Sequence, residues 1–166
     1  MTRIGLLSDT HGQLDEKILQ HFEECNEIWH AGDIGDISIA NKLNSIRPLR
    51  AVYGNIDDKN VNTVYPEQLV FECEKVKVLL RHITGYPGKY EPKALKEIKT
   101  HQPDLVIAGH SHILRIMYDD QNKCLFMNPG AAGHHGLHLV RTIIRFTIDG
   151  KDIRDAEVVE LGKRGR

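Results

Sequence analysis

The chain has 166 residues, 40% of them hydrophobic and 27% charged, with 22 basic and 23 acidic residues and a formal net charge of -1. That length fits one domain over residues 1–166, large enough to bury a core without staples. The balanced charge gives no electrostatic footing for duplex nucleic acid or an anionic membrane surface.

Cys25, Cys73 and Cys124 are far apart and odd in number, with no Cys-x-x-Cys, so neither a disulfide framework nor a zinc knuckle is supported. They read as reduced, buried or half-buried thiols. No apolar run approaches the roughly 20 residues of a membrane span, and no leader-like apolar segment is visible at the start. The expected location is the cytoplasm. The basic end Lys163-Arg164-Gly165-Arg166 reads as a solvated terminus.

In chain order, Ile4 to Ser8 is a short apolar strand ending in the turn Asp9-Thr10-His11-Gly12. Leu14 to Cys25 has helical spacing. Glu27 to Ala31 is a second strand, ending in Gly32-Asp33-Ile34-Gly35-Asp36. Ile37 to Ile46 is a helix closed by Pro48, and Leu49 to Tyr53 a third strand followed by Gly54-Asn55. The strand–helix alternation implies right-handed crossovers and a parallel sheet, in which ligands sit outside the carboxyl ends of the strands. Gln68–Cys73 and Val76–His82 read as a hairpin, Pro87-Gly88 as a loop and Pro92–His101 as a helix. Asp104–Ala108 is a buried strand ending in Gly109-His110-Ser111-His112. Paired strands over 113–118 and 124–127, a long strand over 139–148 and a last one over 153–161 complete the chain. Two mixed sheets packed face to face, with helices outside, account for this pattern.

The polar residues at the strand ends form a set. Asp9, His11, Asp33, Asn55, His82, His110 and His112 each follow a strand. Any one piece is weak. Together they place two carboxylates, an amide and four imidazoles on one sheet edge. Seven ligands are too many for one transition metal and suit two. Two divalent ions about 3.5–4 Å apart need a carboxylate between them, and Asp33 in its glycine-flanked turn is the natural bridge. Imidazole and carboxylate donors suit manganese, iron(II) or zinc, and the lack of a nearby cysteine disfavours a thiolate-rich zinc site; manganese is the preferred expectation, with nickel, zinc, iron(II) or magnesium as alternatives. Two such ions, two carboxylates and a bridging hydroxide sum to about +1, suited to an anionic ester.

In order and spacing, Asp9-Thr10-His11, Gly32-Asp33-Ile34-Gly35-Asp36, Gly54-Asn55, His82 and Gly109-His110-Ser111-His112 resemble the calcineurin-like metallophosphoesterases. The small size, the opening Ser8-Asp9-Thr10-His11-Gly12 and Asn128-Pro129-Gly130 are similar to the compact YfcE-type phosphodiesterases. The resemblance covers essentially the whole chain. It implies a four-layer αββα fold with a central β-sandwich. It implies one metal held by Asp9, His11 and His112, another by Asn55, His82 and His110, and Asp33 between them. It implies attack of a bridging hydroxide on a small or nucleotide-derived phosphodiester. The same fold also serves the retromer scaffold subunit, so a protein-docking module is the alternative.

Two departures matter. Larger phosphatases of the family follow the Asn with a His that donates a proton to the leaving group; here Ile56 stands there, and packing beside the site is its expected role. General acid catalysis is typically worth about 10²–10⁴-fold, so stable leaving groups are expected. Among His134, His135 and His138, His135 is the candidate replacement donor, against surface or dimer-contact histidines. After His82, relatives often run His-Gly-His; here Tyr86, Lys89 and Tyr90 are candidates for a substrate groove, against an ordinary loop. Asp57 is expected to orient His82 or its loop, or to cap a turn. His21, His30 and His101 are assigned no chemistry, and a homo-oligomer is left open.

Overall fold

The computed structural model describes residues 1–165; Arg166, the last residue of the basic end, lies outside them. In chain order the elements are β1 (Thr2–Leu7), α1 (Glu16–Phe22), β2 (Glu27–His30), α2 (Ile37–Ile46), β3 (Leu49–Ala51), α3 (Lys59–Asn62), β4 (Gln68–Cys73) and β5 (Val76–Arg81). There follow β6 (Gly85–Tyr86), β7 (Lys89–Tyr90), α4 (Pro92–His101), β8 (Leu105–Ile107), β9 (Leu114–Asp119), β10 (Cys124–Pro129), β11 (Val140–Asp149) and β12 (Asp152–Lys163).

Two five-stranded mixed sheets form, in the orders β12-β11-β1-β2-β3 and β4-β5-β8-β10-β9. Parallel pairing joins β1 to β2 and β2 to β3 in the first, and β5 to β8 and β8 to β10 in the second. Alternation along the strands sorts the side chains into layers. Ile4 and Leu6 of β1 join Val76, Val78 and Leu80 of β5 and Leu105 and Ile107 of β8 in a core between the sheets. Trp29 of β2 is fully buried there, edge-on to Phe71 of β4 at 5.1 Å and to Phe146 of β11 at 5.7 Å, tying the two sheets together. Leu7 and Ile28 face the other way, onto Ile18 and Phe22 of α1 and Leu43 of α2. Leu79, Val106 and Phe126 pack against Ile98 of α4. The result is the αββα arrangement expected from the sequence.

The helices start where short polar side chains cap them. Asp15 accepts from the Lys17 N–H, and Asp36 from the Ser38 N–H. The Asp15 cap also shortens the helix expected over 14–25. The one-turn α3, capped by Asp58, was not expected because four residues show no period. Pro87-Gly88 proves to be the tip of the β6–β7 hairpin. The basic end is not simply solvated: the Arg164 and Gly165 N–H groups donate to the Leu139 carbonyl and His134 Nδ1, anchoring it on the 134–139 loop. Among the described residues, no helix is long and apolar enough to cross a membrane.

β1 carries a glycine in its middle because α1 lies directly on it: a Cβ at Gly5 would stand 2.5 Å from Phe22 Cδ1. Gly5→Ala is expected to lower stability by about 1–3 kcal/mol, the usual cost of overpacking a core, read as a lower denaturant midpoint at unchanged slope.

Candidate metal centre

The parallel strands of both sheets end at one edge, and the loops leaving them turn sharply. Asp9, His11, Asp33, His110 and His112 all adopt left-handed backbone conformations, with φ of 56°, 49°, 55°, 70° and 62°. Such φ values are uncommon in non-glycine residues, and each costs on the order of 1–3 kcal/mol, so the surroundings must over-determine them. Here they do. The N–H groups of Asp9, His11 and Gly12 donate to the carbonyls of Gly32, Asp33 and Ile34 at 2.9, 3.0 and 2.8 Å, extending the β1–β2 pairing past the strands.

All seven expected ligands come together, in two groups. Asp9, His11 and His112 form one and Asp33, His82 and His110 the other, each with ligand atoms within 4.8 Å of one another. Asp33 Oδ2 reaches both, 3.4 Å from His11 Nε2 and 3.2 Å from His82 Nε2. Asp9 Oδ1 lies 3.2 Å from His112 Nε2 and 3.7 Å from His11 Nε2. Asn55 Oδ1 sits 3.1 Å from His82 Nε2 and 3.0 Å from His110 Nδ1.

The other atom of each ligand is held from behind. Asp9 Oδ2 accepts from Ser8 Oγ at 2.6 Å and from the His110 N–H at 3.1 Å. Asp33 Oδ1 accepts from the Ile56 N–H at 3.0 Å. His82 Nδ1 is 2.7 Å from the Ala31 carbonyl, which only accepts, so the proton sits on Nδ1 and Nε2 is left as a ligand.

This arrangement fits divalent cations. Asp9 Oδ1 and His11 Nε2 are buried, face the centre and have no hydrogen-bond partner. Buried polar atoms are nearly always satisfied, and a cation would satisfy both at once. The donors are nitrogen and oxygen without sulfur, as hard and borderline ions require.

The electrostatics point the same way. Burial alone would raise the Asp9 and Asp33 carboxyls, but the facing imidazoles of His11, with His112 at Asp9 and His82 at Asp33, outweigh it and hold both well below the carboxylate range. His11, close to the Asp33 and Asp9 carboxylates, is pushed up to about 9. Burial opposes the charged form of His82, yet Asp33 raises it above its ordinary value.

Beneath the ligands lies a supporting layer that the sequence showed less clearly. Asp57 braces two loops at once, accepting from the Ile34, Gly35 and Gly54 N–H groups at 3.1, 2.7 and 2.8 Å; it does not touch His82. Gly54 is forced by close approach, since a Cβ there would stand 2.1 Å from Asp33 Oδ1. His30, assigned no chemistry, is fully buried; its Nδ1 accepts from the Gly32 N–H and its Nε2 lies 3.1 Å from Thr10 Oγ1. Burial drives its pKa down to about 3, so a neutral ring links the Asp9 and Asp33 loops. A histidine inside the apolar run Ile28-Trp29-His30-Ala31 was the signal for it. Asn128 donates to Gly109 O and Ser111 Oγ at 3.0 and 3.1 Å, fixing the loop of His110 and His112.

The remaining candidates divide. Ile56 does not pack as expected: its side chain is 46% exposed, and its backbone N–H does the work. His135 stacks on His11 with ring centroids 4.7 Å apart, and His138 lies edge-on to His112 at 5.1 Å. Tyr86 lines a cavity that reaches His110. Lys89 lines a different cavity with Leu95 and Lys99, and the Tyr90 hydroxyl is spent on Asp119 Oδ2 at 2.8 Å, so the expected groove keeps only Tyr86 of the three.

An αββα sandwich with carboxylate and imidazole ligands gathered at its sheet edge defines a class of metal-binding hydrolase folds. The chain belongs to the calcineurin-like phosphoesterase superfamily, whose domain model matches residues 2–151. It is similar to a probable metallophosphoesterase of Methanothermobacter thermautotrophicus, 29% identical over 167 residues, covering 96% of this chain and 92% of that one. Among solved structures it is similar to an archaeal phosphodiesterase at 24% identity and TM-score 0.73, covering 95% of this chain and 99% of that one. It is also similar to zinc-complexed Vps29 from Entamoeba histolytica at 16% identity and TM-score 0.74, covering 95% and 98%. These two structures speak for the fold.

Because the His11 pKa is raised to about 9, the ring carries its proton through neutral pH in the metal-free protein, and loading the site displaces it. Apparent affinity for Mn²⁺ is expected to rise between pH 6.5 and 9, with proton release at pH 7 measurable by calorimetry in two buffers of different ionisation enthalpy. Asp57→Ala removes the brace without removing a ligand. It is expected to weaken Mn²⁺ binding by about 10–100-fold in a chelator competition.

Proposed function

We propose that the chain is a phosphodiesterase working with two divalent ions, Mn²⁺ by preference, on a small or nucleotide-derived phosphodiester. The observation that carries this reading is Asp33 Oδ2, set 3.4 Å from His11 of one ligand group and 3.2 Å from His82 of the other. When bound, two such ions supply Lewis acidity toward phosphoryl oxygens and acidify water.

The chain's own residues prepare the site. Asp9 and Asp33 stay ionised because imidazoles face them, and His82 is held in one tautomer by Ala31. His110 is exposed and His112 half-buried, so the ligand cluster opens to solvent on that side. The exposed Ile56 side chain has no proton to give where larger relatives carry a histidine. That favours esters whose leaving group departs unprotonated over unactivated monoesters. His135, stacked on His11, is the surrogate donor this reading keeps in reserve. A second reading, a metal-holding docking module, takes support from the Vps29 likeness. The completeness of the ligand set favours the enzyme, since buried carboxylates of this kind are costly without cations to answer them.

The test is hydrolysis of bis-p-nitrophenyl phosphate against p-nitrophenyl phosphate by metal-stripped protein given back manganese, nickel, zinc or magnesium. Faster diester turnover is expected, lost by more than about 100-fold in Asp33→Asn and His82→Ala, beyond the 10–100-fold typical of outer supporting residues. Monoester turnover as fast as diester would overturn the diester preference and turn attention to His135→Ala. No turnover with any metal would favour the docking module.

A further inference from the structure

A cavity of about 180 Å³ opens beside His110, between the β6–β7 hairpin and the loop and strand that follow β8. Drug-sized ligand sites start near about 300 Å³, so this one suits a single ring system rather than a whole substrate. Its walls are Ile83, Ile113 and Tyr86, with Phe126 as a buried floor residue. The Arg115 guanidinium stacks on the Tyr86 ring, 4.3 Å from its centroid.

Thr84, His110, Ser111 and Asn128 in its lining are engaged with neighbours, but its two charged side chains, Arg115 and Glu91, are unspent. Among the described residues, the Arg115 guanidinium makes no hydrogen bond or ion pair, and its ring contact with Tyr86 is the one interaction it shows. Glu91, on the same wall, uses its backbone N–H on the Thr84 carbonyl, and its carboxylate has no partner among the described residues. The contrast is the neighbouring cavity beside Asn55 and His82. There Arg81 is saturated by Glu67, Gln68 and the Ile83 carbonyl. The cavity at Tyr86 thus offers a flat cationic and aromatic stack, a fork of N–H donors, a carboxylate acceptor and apolar walls. One cation against one anion disfavours a second phosphate. An aliphatic group would leave the donors and the carboxylate unanswered. A nucleobase, planar and carrying both donors and acceptors on its edge, answers all of them.

We propose that this cavity is the subsite for the nucleobase on the retained arm of a nucleotide phosphodiester, with Tyr86 and Arg115 as its specificity residues. The proposal rests on the phosphodiesterase reading and names its substrate class. The phosphoryl group then lies at His110, and the base occupies the cavity beside it.

Thymidine 5′-p-nitrophenyl phosphate and methyl p-nitrophenyl phosphate test this directly. Water adds to phosphorus in both, p-nitrophenolate leaves, and only the retained arm differs. The expected kcat/KM is about tenfold or more higher for the thymidine ester, in line with the stacking of one base. Tyr86→Ala and Arg115→Ala bring that ratio toward one. Arg115→Lys, which keeps the charge but not the plane, also loses most of it. Equal rates for the two esters in the unmodified protein, or a ratio untouched by the variants, would overturn the subsite. A binding readout separates this from the catalytic reading. By calorimetry on the Mn²⁺-loaded protein, thymidine 5′-monophosphate is expected to bind about tenfold tighter than methyl phosphate. Tighter nucleotide binding without cleavage of either ester would sink the phosphodiesterase and keep the base site. Equal binding would sink the base site whatever the turnover.

Discussion

The structure is organised around two carboxylates that fold into a place largely shielded from water. Asp9 is fully buried and Asp33 nearly so at the sheet edge, with His11 Nε2 within 4 Å of both. Like charges so placed repel, and burial penalises each. Three imidazoles, His11, His82 and His112, are what keep them ionised. Every loop at this edge is shaped by the need to aim those groups at a common centre, and the left-handed backbone at five of the ligand residues is the visible cost.

That strain is absorbed by rigid neighbours rather than by the ligands themselves. The β1–β2 pairing continues as three further backbone hydrogen bonds beyond the last strand residues, so the Asp9 and Asp33 loops hold each other. Asp57 ties the second loop to the third, and His30 ties the first to the second from below. Asn128 does the same for the His110–His112 turn. A carboxylate, an imidazole and an amide thus spend their hydrogen bonds on the loops, on backbone and on the Thr10 and Ser111 hydroxyls, which leaves the ligand atoms free to face inward.

Position 56 shows how a side chain and its backbone can carry different information. The Ile56 side chain has no proton to donate and lies in the open. Its N–H nonetheless fixes Asp33 Oδ1, so any residue but proline could serve the brace. The ligand scaffold tolerates a change here that the chemistry does not ignore.

The sequence by itself determined the layers and the ligand list. Alternating apolar residues in β1, β5 and β8 assign one face to the inter-sheet core and the other to helices, and that periodicity survives without knowledge of neighbours. The seven candidate ligands were legible because each follows a strand, and strands in a parallel sheet end together. The tertiary structure supplied the distances within the two groups that the family resemblance had implied. Asp33 Oδ2 comes closer to His82 Nε2 than Asp9 Oδ1 does, 3.2 against 3.9 Å, because its loop is gripped by Gly54, Ile56 and Asp57 from the loop after β3. It also decided that Tyr86 faces the site while Lys89 and Tyr90 do not, since a two-residue hairpin sends adjacent side chains to different cavities. Such outcomes depend on close approach between segments distant in sequence, and no local pattern of residue types records that distance.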